Sequence, residues 1–182
     1  RGTVYLTAAD ERGMMVSFIQ SNYLGFGSGI VIPGTGISMQ NRGCGFVLAP
    51  GHPNCVGGQK RPFHTIIPGF VTKDDQALMS FGVMGGSMQA QGHVQMMVRI
   101  FDYRQNPQAA SDAPRWHVDE HFQVALESGI SPDTVADLKS RGQVIIENAP
   151  THVFGGAQLI YCLEDGYCAA SDHRKDGAAV GY

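Results

Sequence analysis

A few places in this 182-residue chain carry groups that could act on a substrate. Thr3 opens the apolar run Thr3-Val4-Tyr5-Leu6. A hydroxyl there becomes a nucleophile if a base takes its proton, and is otherwise an ordinary β-former. Gly85-Gly86-Ser87 stands where a strand pattern gives way to helical spacing. Two glycines at such a junction can present backbone N–H groups to developing negative charge, which the N-terminus of the next helix also favours. The same residues also serve as a plain strand-to-helix turn. Arg42, in the loop Gln40 to Phe46, could grip a carboxylate bidentately, or be solvated or paired with an acid. His64 is one of seven histidines, and an isolated histidine is more often packed or superficial than a ligand. Cys44, Cys55, Cys162 and Cys168 contain no C-x-x-C pair, so neither a metal site nor a cofactor is expected. Cys162 and Cys168 could bridge a hairpin, but free thiols are the favoured reading, and the redox compartment stays open.

The surrounding pattern predicts what must hold these groups. Residues 3–9 and 14–20 read as two strands around a turn at Asp10-Glu11-Arg12-Gly13. A glycine loop, Gly25 to Gly29, precedes short strands at 30–32 and 37–40, and residues 42–61 look irregular. Residues 65–71 and 77–83 read as strands. From Met88 to Tyr103 the spacing is helical, with Val94, Met97, Val98 and Phe101 on one face. A short helix over 107–112 stops before Ala113-Pro114. A further helix opens at Ser131-Pro132-Asp133, with Ser as N-cap, and closes at Gly142. Residues 157–163 and 167–171 form a closing hairpin. Strands, then helices, then strands imply a layered α/β (α+β) fold with antiparallel sheets, 1–182 being read as a single domain. So many short strands leave open edges, which a partner chain would complete.

Composition narrows the function classes. The net charge is −3 and basic residues are scattered, so no nucleic-acid partner is expected. His173-Arg174-Lys175 is read as a solvated turn. No run reaches the roughly 18 apolar residues of a membrane span, and no signal peptide is visible. Glycine is abundant, 24 residues, and punctuates strands and turns instead of forming a linker.

Several stretches in fixed order carry a family resemblance. They are Gly2-Thr3, Asp10 to Gly13, Phe26-Gly27-Ser28-Gly29-Ile30-Val31, Gly36-Ile37 through Gln40-Asn41, and Lys60-Arg61-Pro62. Gly85-Gly86-Ser87, Ala113-Pro114-Arg115, Gly129 to Thr134, Ala170-Ser171-Asp172 and Gly181-Tyr182 follow. Together they resemble the small subunit of γ-glutamyltranspeptidases and their acylase relatives, which are N-terminal-nucleophile hydrolases. The resemblance implies a four-layer αββα sandwich completed by a separate large subunit. It also implies a proenzyme that cuts itself before a threonine, here Thr3.

The resemblance assigns roles residue by residue. Thr3 would be the nucleophile, and its freed α-amine, titrating near 7.7–8.0 before perturbation, would be its base. Arg1-Gly2 precedes Thr3, so processing before Thr3 is expected. Ser21 matches a second hydroxyl beside the nucleophile, and Gly85 and Gly86 match the oxyanion-binding glycine pair. In the acyl pocket, an acidic pair of the γ-glutamyl enzymes is Cys44-Gly45, an Asn is Tyr23, and paired serines are His64-Thr65. The groups that hold a substrate ammonium are thus missing, while Arg42 adds a cation.

The expectation is an amidohydrolase working through an acyl-Thr3 intermediate on a carboxylate-bearing acyl donor. This fits the oxamate amidohydrolase-like and acylase-like branches better than glutathione-cleaving enzymes. The expected partners are a large subunit from the same precursor and a small-molecule amide, with a higher oligomer of that unit left open. γ-Glutamyl transfer or glutathione hydrolysis is the alternative, and a catalytically inactive binding or assembly subunit is the alternative of another class.

Overall fold

The computed structural model describes residues 2–182, so Arg1 of the Arg1-Gly2 dipeptide lies outside the described residues. The chain divides into two compact units, one built from Tyr5–Phe18 with Ile67–Tyr182 and the other chiefly from Ile19–Ile66.

The larger unit is layered. β1 (Val4–Ala9) and β2 (Met15–Gln20) pair in a two-stranded sheet. Their turn is tied by Asp10, whose Oδ1 accepts from the backbone N–H groups of Arg12 and Met14 at 3.0 and 2.9 Å. β3 (Gly69–Lys73), β4 (Gln76–Met84), β8 (Gly156–Leu163) and β9 (Gly166–Ser171) form an antiparallel sheet in the order β3-β4-β8-β9. β4 is buried on both faces, and its two sets of side chains say what covers each. Met79, Phe81 and Val83 point into the main core with Met96, Ile100, Ala110 and Phe154. Ser80 faces the β1–β2 hairpin, where its hydroxyl bonds that of Thr7. Tyr5 Oη and Ser17 Oγ lie 2.6 Å apart, and Ser17 donates to the Gly69 carbonyl at 2.8 Å. The hairpin therefore turns its hydroxyls inward, and Leu6, Val16 and Phe18 are left 46–48% exposed on its outer face.

The helical layer is α1 (Gln89–Met97), a wider turn at Val98–Asp102, and α2 (Pro107–Asp112), whose N-cap Asn106 accepts from the Ala109 N–H. α1 also completes a second sheet. Among the described residues the outer edge of β5 (Trp116–Val118) has no strand beside it, but Gln91 and Gln95, one helical turn apart, stand in for one. Gln91 accepts from Val118 N–H at 2.7 Å and donates to Val118 O at 2.9 Å. Gln95 treats Trp116 the same way, at 3.1 and 2.9 Å. β6 (Val124–Leu126) pairs antiparallel with β5 and parallel with β7 (Ile145–Ile146). α3 (Pro132–Ser140) closes a smaller core of Val124, Leu126, Val135 and Trp116.

Several expectations need correcting. Val94 is 54% exposed, and α1 buries Gly92, Gln95 and Met96 instead. Gly92 must face β4 because a Cβ there would stand 2.7 Å from Val83, and the glutamine ladder fixes the rest of the rotation. The wider turn at 98–102 then brings Met97 and Phe101 against the core. The segment read as a strand at 65–71 pairs only from Gly69 onward, and 30–32 with 37–40 reduces to one bridge, Val31 with Ser38. Ser131 occupies the N-cap position of α3 without a side-chain cap bond. Arg174 is no solvated turn residue, since its guanidinium reaches Glu127 at 2.9 Å and Asp172 at 2.8 Å. All four cysteines are free thiols, and the β8–β9 register sets Cys162 opposite Tyr167, not Cys168.

His93, on α1, accepts the Val83 N–H at its Nε2 (3.0 Å) and packs on Phe81. Burial lowers its pKa from 6.5 to about 4. The unfolded chain would take up that proton near 6.5 while the folded chain refuses it until about 4. Stability should therefore fall as pH drops through this window, by roughly 2–3 kcal/mol for this group after allowing for its partial exposure. Thermal melts of the full-length protein against pH should show a shallower slope there in His93→Gln. Parallel curves for the two proteins would exclude His93 as the source.

Candidate active site

The smaller unit has almost no core of its own: none of residues 19–66 is buried. Its order comes from turns and side-chain-to-backbone bonds. Asn41 is the main strut. Its Nδ2 donates to the carbonyls of Leu24 and Gly27, both at 3.1 Å, and its Oδ1 accepts from Leu24 N–H at 3.0 Å. Gly27, with φ +74°, lies so close to the Met39 carbonyl that a Cβ would collide with it. The 22–27 loop is thus fastened to the 39–41 segment, and it carries Tyr23.

Within this frame five of the expected site residues join in one run. Thr3 Oγ1 donates to Ser21 Oγ at 2.8 Å. Ser21 Oγ also accepts the Tyr23 backbone N–H at 2.9 Å. Tyr23 adopts φ +72°, a left-handed conformation that bulky residues rarely take. Its ring lies 5.0 Å from the Arg42 guanidinium carbon, a cation–π contact. Arg42 Nη1 then reaches Thr65 Oγ1 at 3.4 Å. Partial burial lowers the Arg42 pKa, with Tyr23 opposing that shift. The cation is partly desolvated and, among the described residues, rests on Tyr23 and Thr65 with no acid in hydrogen-bond contact, which suits an incoming anion better than a solvated surface arginine would.

His64 is exposed, and its Nδ1 accepts from the Ile66 N–H at 3.2 Å. Cys44 and Gly45 are exposed on the short helical turn Arg42–Gly45.

Gly85 and Gly86 belong to the larger unit, at the end of β4, where a single 3-10 turn (Gly86–Met88) runs into α1. Both have positive φ, +156° and +74°, and Gln89 Nε2 closes the turn on the Gly86 carbonyl at 3.0 Å. A Cβ on Gly85 would sit 2.8 Å from Gly155 Cα, so glycine is required for packing as well as for conformation. The helix beginning there directs its positive dipole end back toward the turn. Among the described residues no group of His, Cys, Asp and Glu could hold a metal ion.

Two positioning features escape sequence reasoning. Asn41 carries a signal of a kind, an Asx residue in a glycine-rich loop, where such side chains bond backbone. The left-handed Tyr23 carries none.

The larger unit, a two-stranded hairpin on an antiparallel sheet with helices behind and a glycine turn between sheet and helix, is a layered α/β fold. The comparisons make the class specific. A family model described as gamma-glutamyltranspeptidase matches residues 1–182. The chain is 36% identical over 186 residues to the glutathione hydrolase-like YwrD proenzyme of Bacillus subtilis (strain 168), covering 98% of this chain and 35% of that protein. It is 35% identical over 187 residues to the oxamate amidohydrolase proenzyme of Klebsiella pneumoniae, covering 99% and 35%. The crystal structure of cephalosporin acylase from Bacillus halodurans superposes with a TM-score of 0.89 at 49% identity, over 98% of this chain and 34% of that one. The chain therefore belongs to the γ-glutamyltranspeptidase family, with the α/β fold expected from its sequence. It spans about a third of the length of the relatives it matches.

Asn41→Ala should release the 22–27 loop while leaving the larger unit intact. Three lost backbone anchors at roughly 0.5–1.5 kcal/mol each predict a local loss of about 2–3 kcal/mol. Amide exchange at residues 22–27 should rise at least tenfold, with β4 and β8 unchanged. Unaltered exchange there would show that Asn41 is no strut.

Proposed function

We propose that this chain is the nucleophile-bearing part of an amidohydrolase that acts on an amide whose acyl group carries a carboxylate. The observation that carries the reading is the run Thr3–Ser21–Tyr23–Arg42–Thr65, which ties a strand-initial hydroxyl to a half-buried guanidinium. A hydroxyl is a poor nucleophile until a base takes its proton. In the processed chain that base is the α-amine of Thr3 itself, freed when the bond before Thr3 is cut. Thr3 Oγ1 adds to the substrate carbonyl, the proton passes to the amine and on to the leaving nitrogen, and the C–N bond breaks to leave an ester on Thr3. Water then attacks that ester, releasing the carboxylic acid and restoring the hydroxyl.

Ser21 orients the nucleophile, and by the family resemblance the N–H groups of the Gly85–Gly86 turn are assigned to the oxyanion, a contribution of about 3–4 kcal/mol per well-placed donor. Arg42 binds the distal carboxylate, with Tyr23 fixing its plane and Thr65 and His64 completing the pocket. Cys44 and Gly45 supply no counter-charge for an ammonium, so a γ-glutamyl group is the poorer acyl donor. The partner is a large chain from the same precursor, supported by the proenzyme relatives and by the apolar outer face of the β1–β2 hairpin. That face is laid out for a further layer, since a monomer would not leave it in water.

Thr3→Ala in the full-length precursor should leave it as one chain without amidase activity. A variant that still splits and turns over amides would remove Thr3 from its role, and activity in no amide class for wild type would favour an assembly role.

Arg42→Gln should lose about 10- to 150-fold in kcat/KM on glutaryl- or oxamate-type amides, the worth of one charge-assisted contact. Cys44→Asp should gain on γ-glutamyl amides. It is the better site for an added acid, because a Cβ on Gly45 would meet the Phe63 carbonyl at 3.0 Å. Unchanged ratios between the two substrate types in both variants would return γ-glutamyl chemistry to the lead.

A further inference from the structure

The glycine turn after β4 is packed between two segments that flank it. On one side α1 fixes Val83, through His93 and the close approach of Gly92. On the other side lies the turn Thr151–Phe154 with Gly155, just before β8. Gly155 has φ +75°, and a Cβ on it would collide with the Met84 carbonyl, while Gly85 would collide with Gly155 in the same way. The two backbones are in direct contact, so the position of Gly155 sets the position of Gly85.

What fixes Gly155 is a buried guanidinium. Arg115 Nη1 donates to the Gly155 carbonyl at 2.8 Å, Nη2 reaches the Thr151 carbonyl at 3.4 Å, and the guanidinium carbon lies 5.3 Å from the centre of the Phe154 ring. One side chain thus grips the 151–155 segment at three points. Arg115 is itself immobilised. Its Nε and Nη2 donate to the two oxygens of Glu127 at 2.9 and 2.7 Å, and its own backbone N–H donates to Glu127 at 3.1 Å. Arg174 braces the same carboxylate at 2.9 Å, and Asp172 bridges the two arginines at 3.4 and 2.8 Å. A planar fork held bidentately has one orientation, which a lysine ammonium could not reproduce.

We infer that Arg115 is a positioning residue for the oxyanion turn: through Gly155 it sets where the Gly85 and Gly86 N–H groups point. This rests on the reading that those N–H groups receive the oxyanion. It goes beyond a general stabilising role, because it predicts a defect confined to the step in which the carbonyl oxygen gains charge.

The test is Arg115→Lys and Glu127→Gln in the full-length protein, with three readouts. For the amide substrate, kcat should fall roughly 10- to 100-fold with KM held within about twofold, a fraction of the loss caused by deleting an oxyanion donor. The matching thioamide, whose larger sulfur already fits the donors poorly, should lose far less, so the oxo-to-thio rate ratio should shrink. Amide exchange should quicken at residues 84–88 and 151–155 and stay slow in α2 and β9. Equal losses on amide and thioamide, with unchanged exchange at 84–88, would overturn the assignment and leave the network purely structural. Failure of both variants to fold would also overturn it, as a requirement of the whole fold. If the wild type hydrolyses no amide, the functional reading fails by itself. The exchange readout then still decides whether Arg115 positions the turn.

Discussion

The buried pair of Arg115 and Glu127 is the interaction on which the larger unit depends. Both side chains are at least nine-tenths inaccessible, and Asp172 is 1% exposed beside them. Burial alone pushes the Glu127 and Asp172 carboxyls up, but hydrogen bonds and charge from Arg115 and Arg174 outweigh it and hold both below the usual carboxylate range. Two cations and two anions cancel. A buried network of this kind is tolerable only when complete, because any single loss strands a charge away from water. Its members come from four separate places: the start of β5, the end of β6, the residue after β9, and the segment following it. Arg115 meets Glu127 beside the β5–β6 pair and Arg174 meets Asp172 two residues away, but the contacts that join these two pairs, Arg174 to Glu127 and Arg115 to Asp172, need both sheets in place. Arg99 adds to this order by donating to the carbonyls of Ala110 and Pro114, which ties the segment leading into Arg115 to the end of the helical layer.

The hairpin shows a second constraint. Polar residues usually face water and apolar ones the core, yet Thr7, Ser17 and Tyr5 point toward the sheet while Leu6, Val16 and Phe18 point away. The inner hydroxyls are satisfied by one another and by sheet carbonyls, which makes the arrangement stable where isolated buried hydroxyls would not be. Burial raises the Tyr5 phenol pKa, so it stays a neutral hydrogen-bonding group. Alternation of this sign is what a strand needs when apolar material lies on its other side as well.

How much of this the sequence reveals follows from how local each feature is. The β1–β2 hairpin, α2 with its Asn106 cap, the start of α3 and the β8–β9 hairpin are encoded by neighbouring residues, and all are readable there. β5, β6 and β7 are two or three residues long and owe their pairing to partners far along the chain. Glutamines on a helix ordinarily face solvent, so Gln91 and Gln95 give no local sign that they border β5. The rotation of α1 was equally hidden, because Gly92 buries itself by having no side chain. At the candidate site, Thr3 and the glycine pair also fit a plain β-former and a plain turn, and the family resemblance gave them, with Ser21, their roles. Arg42 stood out by its charge, whereas the strut Asn41 and the grip of Arg115 on Gly155 needed coordinates.

Tyr23 is the place where local preference and fold disagree. A tyrosine at φ +72° costs energy that an asparagine or glycine would largely avoid. Yet the strained backbone directs the Tyr23 N–H to Ser21, and the Tyr23 ring meets Arg42. The unit that must hold this strain has no buried core, so the restraint comes from Asn41 and from Gly27 against Met39. Such a loop is stable only while its few backbone anchors last, and the energy stored at Tyr23 pulls against them. That balance explains why a segment so rich in glycine keeps a defined path. The Tyr23 ring is carried on this restrained backbone, so the anchors that hold the loop also hold the aromatic face on which Arg42 rests, while the loop around it stays open to solvent.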